Sequence, residues 1–272
     1  MNQVQSNGCR IAYRIELGMA PGRPWLVFSH SLAADHTMWD PQVAAFAGRF
    51  NILRYDMRGH GASEAPAPPY TLEQLADDLR AVLDAAGIEH CHFVGLSLGG
   101  MVGQMAALRY PRRFRSLVLA DTTSRYPAEM RPVWEERIAA VRGPNGMAAV
   151  APATLERWFT AAFRAREPDT VARIGALIRA TPVNGYVGCA QAIMRLNLTA
   201  RLHAIAVPVL VIVGEEDPGT PPAMAEEIVR AIDGARLVRI PQAAHLSNLE
   251  QPARFNEALA TFFAALQPAG GA

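Results

Sequence analysis

The sequence predicts an α/β fold, a mostly parallel sheet with helices on both faces and a helical cap inserted over one edge. Three observations carry this. Short apolar runs such as Trp25–Phe28, Leu117–Ala120 and Val209–Val213 have the composition of strands buried on both faces, and they alternate with segments of helical periodicity. One junction reads Gly95-Leu96-Ser97-Leu98-Gly99-Gly100, a strand, a sharp turn and a helix with serine at the apex. The alternation then stops over residues 125–201 and resumes after them.

In order, residues 9–17 alternate at Ile11, Tyr13, Ile15 and Leu17, as a half-buried antiparallel strand does. Met19–Pro24 reads as a turn. The buried strand Trp25–Phe28 runs into Ser29-His30-Ser31-Leu32, a loop at a strand's C-terminal end, where open α/β sheets bind ligands. A short helix within Trp39–Phe50, a strand at Asn51–Tyr55 and a proline-rich loop to Pro69 follow. Thr71 with Gln74 three residues on starts a helix. Leu72, Leu75, Leu79, Val82 and Leu83 give it an apolar face, and Gly87 ends it. Past the serine turn, Met101, Val102, Met105, Ala106 and Leu108 carry a helix to Pro111, and Leu117–Ala120 is a buried strand ending at Asp121.

From Arg125 to Arg201 the patterns are helical and are interrupted at Gly143-Pro144, Pro152, Pro168 and Pro182. This stretch of about 75 residues exceeds any ordinary loop. The expected division is a core of residues 1–124 and 202–272 and a cap of residues 125–201. The core then adds a strand at Val209–Val213, a helix at Pro221–Ile232, a strand at Leu237–Ile240 and a helix at Pro252–Leu266. The tail from Pro268 is expected to be disordered.

Composition narrows the function. A net charge of +1 gives no reason to expect nucleic acid or an anionic membrane as partner. No apolar run reaches membrane-spanning length, and the N-terminus has no apolar core of a signal peptide, so a cytoplasmic protein is expected. Three widely spaced cysteines, Cys9, Cys91 and Cys189, fit a reducing compartment. All 26 basic residues are arginine, which excludes a Walker A loop and Schiff-base chemistry through lysine. A dinucleotide fingerprint would need glycine where Ser97 stands. His90 and His92 flank Cys91 at strand spacing but have no third ligand placed beside them. No metal or cofactor is expected.

A serine between glycines at a strand–helix turn is a nucleophile if a base and an acid reach it. The glycines serve the turn, because side chains at Gly95 and Gly99 would collide with the packed strand and helix. In this fold class the order is nucleophile, acid, base. His245, just past the last strand, is the expected base. Asp217, in Gly214-Glu215-Glu216-Asp217 after another buried strand, is the expected acid, with Asp121 its main rival and Glu215 and Glu216 weaker ones. The backbone N–H groups of Leu98 and Leu32 are the expected oxyanion donors. Arg125–Ala200 holds ten arginines against six acids, so a basic cap would favour an anionic substrate, although most arginines in such a segment face solvent. Trp134 and Arg137, at i and i+3 on one helix face, are the expected substrate contacts.

These residues resemble the α/β-hydrolase family and, within it, the 3-oxoadipate enol-lactonases. The likeness rests on Ser31-Leu32 with Met38-Trp39-Asp40, on Arg54-Tyr55-Asp56-Met57-Arg58-Gly59-His60-Gly61, on Gly95–Met101 and on Leu119-Ala120-Asp121-Thr122. It extends to Thr154–Phe159, to Gly185-Tyr186 and to His245-Leu246-Ser247-Asn248-Leu249-Glu250-Gln251-Pro252. Ser31 departs from the glycine that the broad family carries after the histidine. The resemblance implies attack by Ser97, activated by His245, on a small anionic enol-lactone, followed by hydrolysis of the acyl-enzyme to 3-oxoadipate. A perhydrolase or haloperoxidase, a general carboxylesterase, and a non-enzymatic ligand receptor on the same fold are the competing readings. The sequence does not set an oligomeric state.

Overall fold

A computed structural model describes residues 1–18 and 22–266. Eight strands, β1 (Asn2–Ser6), β2 (Cys9–Glu16), β3 (Trp25–Ser29), β4 (Asn51–Tyr55), β5 (Cys91–Leu96), β6 (Phe114–Ala120), β7 (Val209–Gly214) and β8 (Arg236–Ile240), form one sheet in the order β1-β2-β4-β3-β5-β6-β7-β8. From β4 to β8 all neighbours are parallel, whereas β2 pairs antiparallel with both β1 and β4. The core helices are α1 (Asp40–Phe46), α2 (Leu72–Ala85), α3 (Leu98–Arg109), and, after the insertion, α9 (Pro222–Ala231), α10 (Ser247–Glu250) and α11 (Pro252–Ala265). Between β6 and β7 lie α4 (Arg131–Arg142), α5 (Ala151–Trp158), α6 (Ala161–Arg166), α7 (Pro168–Ala180) and α8 (Val183–Ile193).

The apolar runs became strands because a central strand of a parallel sheet is covered on both faces. All six residues of β7 are buried, while β1 and β8 at the two edges have one buried residue each. α2 packs on α3 on one face of the sheet, and α1 packs with α10 and α11 on the other. Thr71 caps α2, its hydroxyl accepting from Gln74 N at 3.1 Å. In the insertion the prolines open helices instead of breaking them. Pro132, Pro152 and Pro168 stand in the first turns of α4, α5 and α7, where a missing N–H costs nothing.

Two elements were not foreseen. β1 is polar and lies at an exposed edge, so no hydrophobic pattern marks it. α10, four residues long, follows His245 directly. Part of the expected turn at Met19–Pro24 and all of the tail from Pro268 fall outside the described residues. The three cysteines are buried and unpaired.

Candidate active site

Ser97 follows β5 and is the residue before α3, with φ 55° and ψ −115°. A non-glycine residue reaches that region only under strain, and its surroundings hold it there. Its N–H donates to Ala120 O at 2.9 Å, and its carbonyl accepts from Met101 N at 3.0 Å and from the Thr122 hydroxyl at 2.7 Å. The turn closes because the glycines allow it. A Cβ on Gly95 would lie 2.3 Å from Gly99 O, and one on Gly99 would lie 2.2 Å from Ser29 O. With its backbone fully engaged, Ser97 lines a cavity that His245 also lines. The Ser97 hydroxyl has no hydrogen-bond partner among the described residues. Unliganded catalytic contacts are often loose in this way.

His245 Nδ1 lies 2.8 Å from Asp217 Oδ2, and both side chains are buried. Asp217 is fully engaged otherwise. Its Oδ1 accepts from Gly219 N at 2.7 Å and Thr220 N at 3.1 Å, and Oδ2 accepts the Thr220 hydroxyl at 2.7 Å. Burial alone would push the carboxyl up, but the His245 charge and these donors hold it below the usual carboxylate range. Burial likewise disfavours the imidazolium, and the Asp217 carboxylate outweighs it, raising the His245 pKa. With a proton held on Nδ1 by Asp217, the imidazole keeps Nε2 as a free base.

The rival carboxylates lie elsewhere. Glu215 and Glu216 are exposed. Asp121 is buried beside the pair without touching His245. Its Oδ1 accepts Gly214 N at 2.7 Å, and its Oδ2 accepts the Ser247 hydroxyl at 2.5 Å. His90 Nδ1 meets Arg112 O, and His92 Nδ1 meets Ser116 Oγ. Among the described residues no group of three His, Cys, Asp or Glu is placed to hold a metal ion.

The loop after β3 is pinned by two buried histidines. His30 Nδ1 meets Ser31 O at 2.7 Å while its Nε2 accepts Met57 N at 2.9 Å. His60 Nε2 accepts Ala33 N at 3.0 Å. Burial pushes His60 down to about 3, so its ring stays a neutral acceptor. Ser31 O and Ala33 N are thereby occupied, and the N–H groups of Leu32 and Leu98 have no partner among the described residues. The Ser31 hydroxyl, at the position where the family usually carries glycine, is buried without a partner and lines the cavity.

The insertion supplies the cavity's other wall. Trp134 and Arg137 both line it, with the Arg137 guanidinium 4.9 Å from the Trp134 ring centre. The sequence assigned no substrate contact to Arg157, Tyr126 or Tyr186, which line it too. Arg157 donates to the Thr154 hydroxyl at 3.0 Å, and neither arginine meets a carboxylate among the described residues. Burial and then the Arg137 charge lower the Arg157 pKa. Two guanidinium groups thus share one cavity with no counter-charge. The one signal for Arg157 was its place in Thr154–Phe159, a segment carrying the family resemblance. The insertion also bonds to the base loop. Leu246 N donates to Trp158 O at 3.1 Å, and Glu250 bridges Thr160 N at 2.5 Å and Ala244 N at 3.0 Å.

Comparison with known proteins agrees with the fold. A family model described as "alpha/beta hydrolase fold" matches residues 24–252. The chain is 35% identical to 3-oxoadipate enol-lactonase 2 of Acinetobacter baylyi over 237 residues, covering 87% of each protein. Among solved structures, the enol-lactonase from Burkholderia xenovorans LB400 superposes with a TM-score of 0.92 at 40% identity, covering 97% of this chain and all of that one. A hydrolase from Pseudomonas aeruginosa PA01 gives a TM-score of 0.90 at 42% identity, covering 96% of each chain.

Proposed function

Because this chain belongs to the α/β-hydrolase family, we propose that it hydrolyses a carboxylate-bearing enol-lactone, with 3-oxoadipate enol-lactone as substrate and 3-oxoadipate as product. The observation that carries this reading is the pair Arg137 and Arg157, two cations without a carboxylate partner among the described residues, in the cavity that Ser97 and His245 line. Positive charges crowded in a partly desolvated site favour an anion, and a guanidinium pairs well with a carboxylate. The enol-lactonases named above, 35% and 40% identical, support the same substrate class.

In this mechanism His245 Nε2 takes the Ser97 proton as Oγ attacks the lactone carbonyl, and Asp217 stabilises the imidazolium. The N–H groups of Leu32 and Leu98 receive the oxyanion. Collapse of the tetrahedral intermediate breaks the ring C–O bond. The leaving group is an enolate, a better leaving group than an alkoxide, so oxyanion stabilisation matters more than its protonation; the enolate then takes the proton from His245, which restores the free base. Water, deprotonated by His245, then hydrolyses the ester on Ser97, and the released enol tautomerises to the 3-oxo acid. The Arg137–Arg157 pair holds the substrate carboxylate and Trp134 packs beside it. The unpaired cysteines fit a cytoplasmic enzyme.

The test is loss of lactone absorbance with wild type and with Ser97→Ala. Rapid loss with wild type alone is expected. Turnover that persists in Ser97→Ala contradicts the acyl-enzyme, and a wild type that hydrolyses neutral esters but not the lactone contradicts the substrate.

A further inference from the structure

Asp121 is buried, unused by the mechanism above, and held in an uncommon conformation. It directly follows β6 with φ 44°, in the left-handed region that an aspartate enters more easily than most residues but still at a cost. Its N–H donates to Ile212 O at 2.8 Å, which fixes the backbone, and its side chain is completely enclosed. The two carboxyl oxygens reach different loops. Oδ1 meets Gly214 N at 2.7 Å, three residues before Asp217, and Oδ2 meets Ser247 Oγ at 2.5 Å, two residues after His245. Those loops also touch directly. Glu216 N donates to Ala243 O at 2.9 Å, and a Cβ on Gly214 would lie 2.2 Å from Ala244 O.

We propose that Asp121 is a positioning residue of this site: by bridging Gly214 and Ser247 it fixes the loop that carries Asp217 against the loop that carries His245. The inference rests on the hydrolytic reading, in which those two side chains must stay in contact while His245 gains and loses a proton. The strut works uncharged. Burial, then the neighbouring Asp217 carboxylate, push Asp121 up to about 8, against the weaker pull of His245, Ser247 and the Gly214 N–H. The charged groups that face it are Asp217, on the loop after β7, and His245, on the loop after β8. With Oδ1 occupied by the Gly214 N–H, protonation of Oδ2 reverses the contact to Ser247: the carboxylic O–H donates to Oγ in place of the hydroxyl donating to Oδ2, and the bridge is kept. The imidazolium then faces one carboxylate, Asp217, which also holds the Nδ1 proton.

The two aspartates therefore respond oppositely to the same substitution. An asparagine at 121 accepts from Gly214 N and donates to Ser247 Oγ, as the protonated carboxyl does. An asparagine at 217 loses the charge that faces His245. The experiment compares Asp121→Asn, Asp121→Ala and Ser247→Ala in p-nitrophenyl acetate turnover and in the low-field proton resonance of His245 Nδ1–H. Asp121→Asn is expected to hold kcat within about threefold of wild type and to keep the resonance. Asp121→Ala is expected to lose about 100-fold in kcat with KM nearly unchanged, and to broaden or lose the resonance. Ser247→Ala, which cuts one end of the strut, is expected to lose about tenfold. A wild-type kcat and resonance in Asp121→Ala overturn the proposal, and so does an Asp121→Asn as impaired as Asp121→Ala, since a charge would then be required. If Asp121→Ala does not fold, Ser247→Ala decides, and a wild-type kcat and resonance in it overturn the proposal. Failure of the hydrolytic reading looks different. Wild type then turns over no ester, while the resonance still reports the strut.

Discussion

The two walls of the cavity are built differently. On the sheet side, Ser97, Asp217 and His245 sit on or just past strand ends, and each is fixed by several neighbours. Asp217 alone engages Gly219, Thr220 and His245. On the side of the insertion, Arg137 rests on the Trp134 ring and Arg157 on the Thr154 hydroxyl, with no carboxylate among the described residues to hold either. Groups that must meet within a fraction of an ångström are held by the sheet, and groups that need only offer charge and shape are left to helices. Chemistry and selectivity should therefore be separable by mutation.

The largest effects belong to the sheet side. Ser97→Ala should cut kcat by about 10⁶-fold, measured as lactone turnover at enzyme concentrations high enough to see the residue of activity. Asp217→Asn should follow at about 10⁴-fold, because an amide can favour the wrong imidazole tautomer and cannot stabilise the imidazolium. Arg157→Ala, on the other wall, should raise KM for the anionic lactone by about 10- to 100-fold while leaving neutral ester turnover within about twofold. An equal loss on both substrates would show that the arginine supports the site and does not read the anion.

The pH profile sharpens the sheet side. His245 acts as a base only when neutral, and its pKa is raised, burial notwithstanding, by Asp217 from the ordinary 6.5. The acid limb of kcat/KM should therefore have its midpoint above 6.5 in wild type and move down in Asp217→Asn. The same shift has a sign for stability. Protonated His245 favours the folded state fully below its unfolded pKa, and that contribution is lost as pH rises through the folded value.

The smallest effect tests how the two walls are joined. Gly185 of α8 lies against the core loop so closely that a Cβ there would be 1.9 Å from Gly59 O. Gly185→Ala should lower stability by about 1–3 kcal/mol in denaturant unfolding. It should also reduce turnover of the lactone more than that of a small neutral ester.

The same division decides what could be read from the chain. Ser97 and Asp217 were legible because each stands at a fixed offset from an apolar run that can only be a buried strand, and His245 because it alone of the histidines stands both late in the chain and just past a strand; the elbow glycines mark the turn. Leu32 was placed by the loop's position after β3, although the two histidines that occupy its neighbours' polar groups were not foreseen. β1 escaped because an exposed edge strand needs no apolar face, and α10 because four residues show no period. In the insertion, Trp134 and Arg137 stood out as an i, i+3 pair. Arg157 did not, since nothing in its spacing separates it from the arginines that face solvent, and only the fold of the insertion brings it to the cavity that Arg137 lines. Asp121 was visible as a carboxylate at a strand end, but its two partners are 93 and 126 residues away in sequence.

The most direct test of this account compares the lactone acid with its methyl ester, in wild type and in the Arg137→Ala/Arg157→Ala double variant. A wild-type kcat/KM that favours the acid by about 100-fold, with the preference gone and the methyl ester's kcat/KM unchanged in the variant, is the predicted result. A preference that survives the loss of both arginines would contradict the assignment of chemistry to the sheet edge and of selectivity to the helices above it.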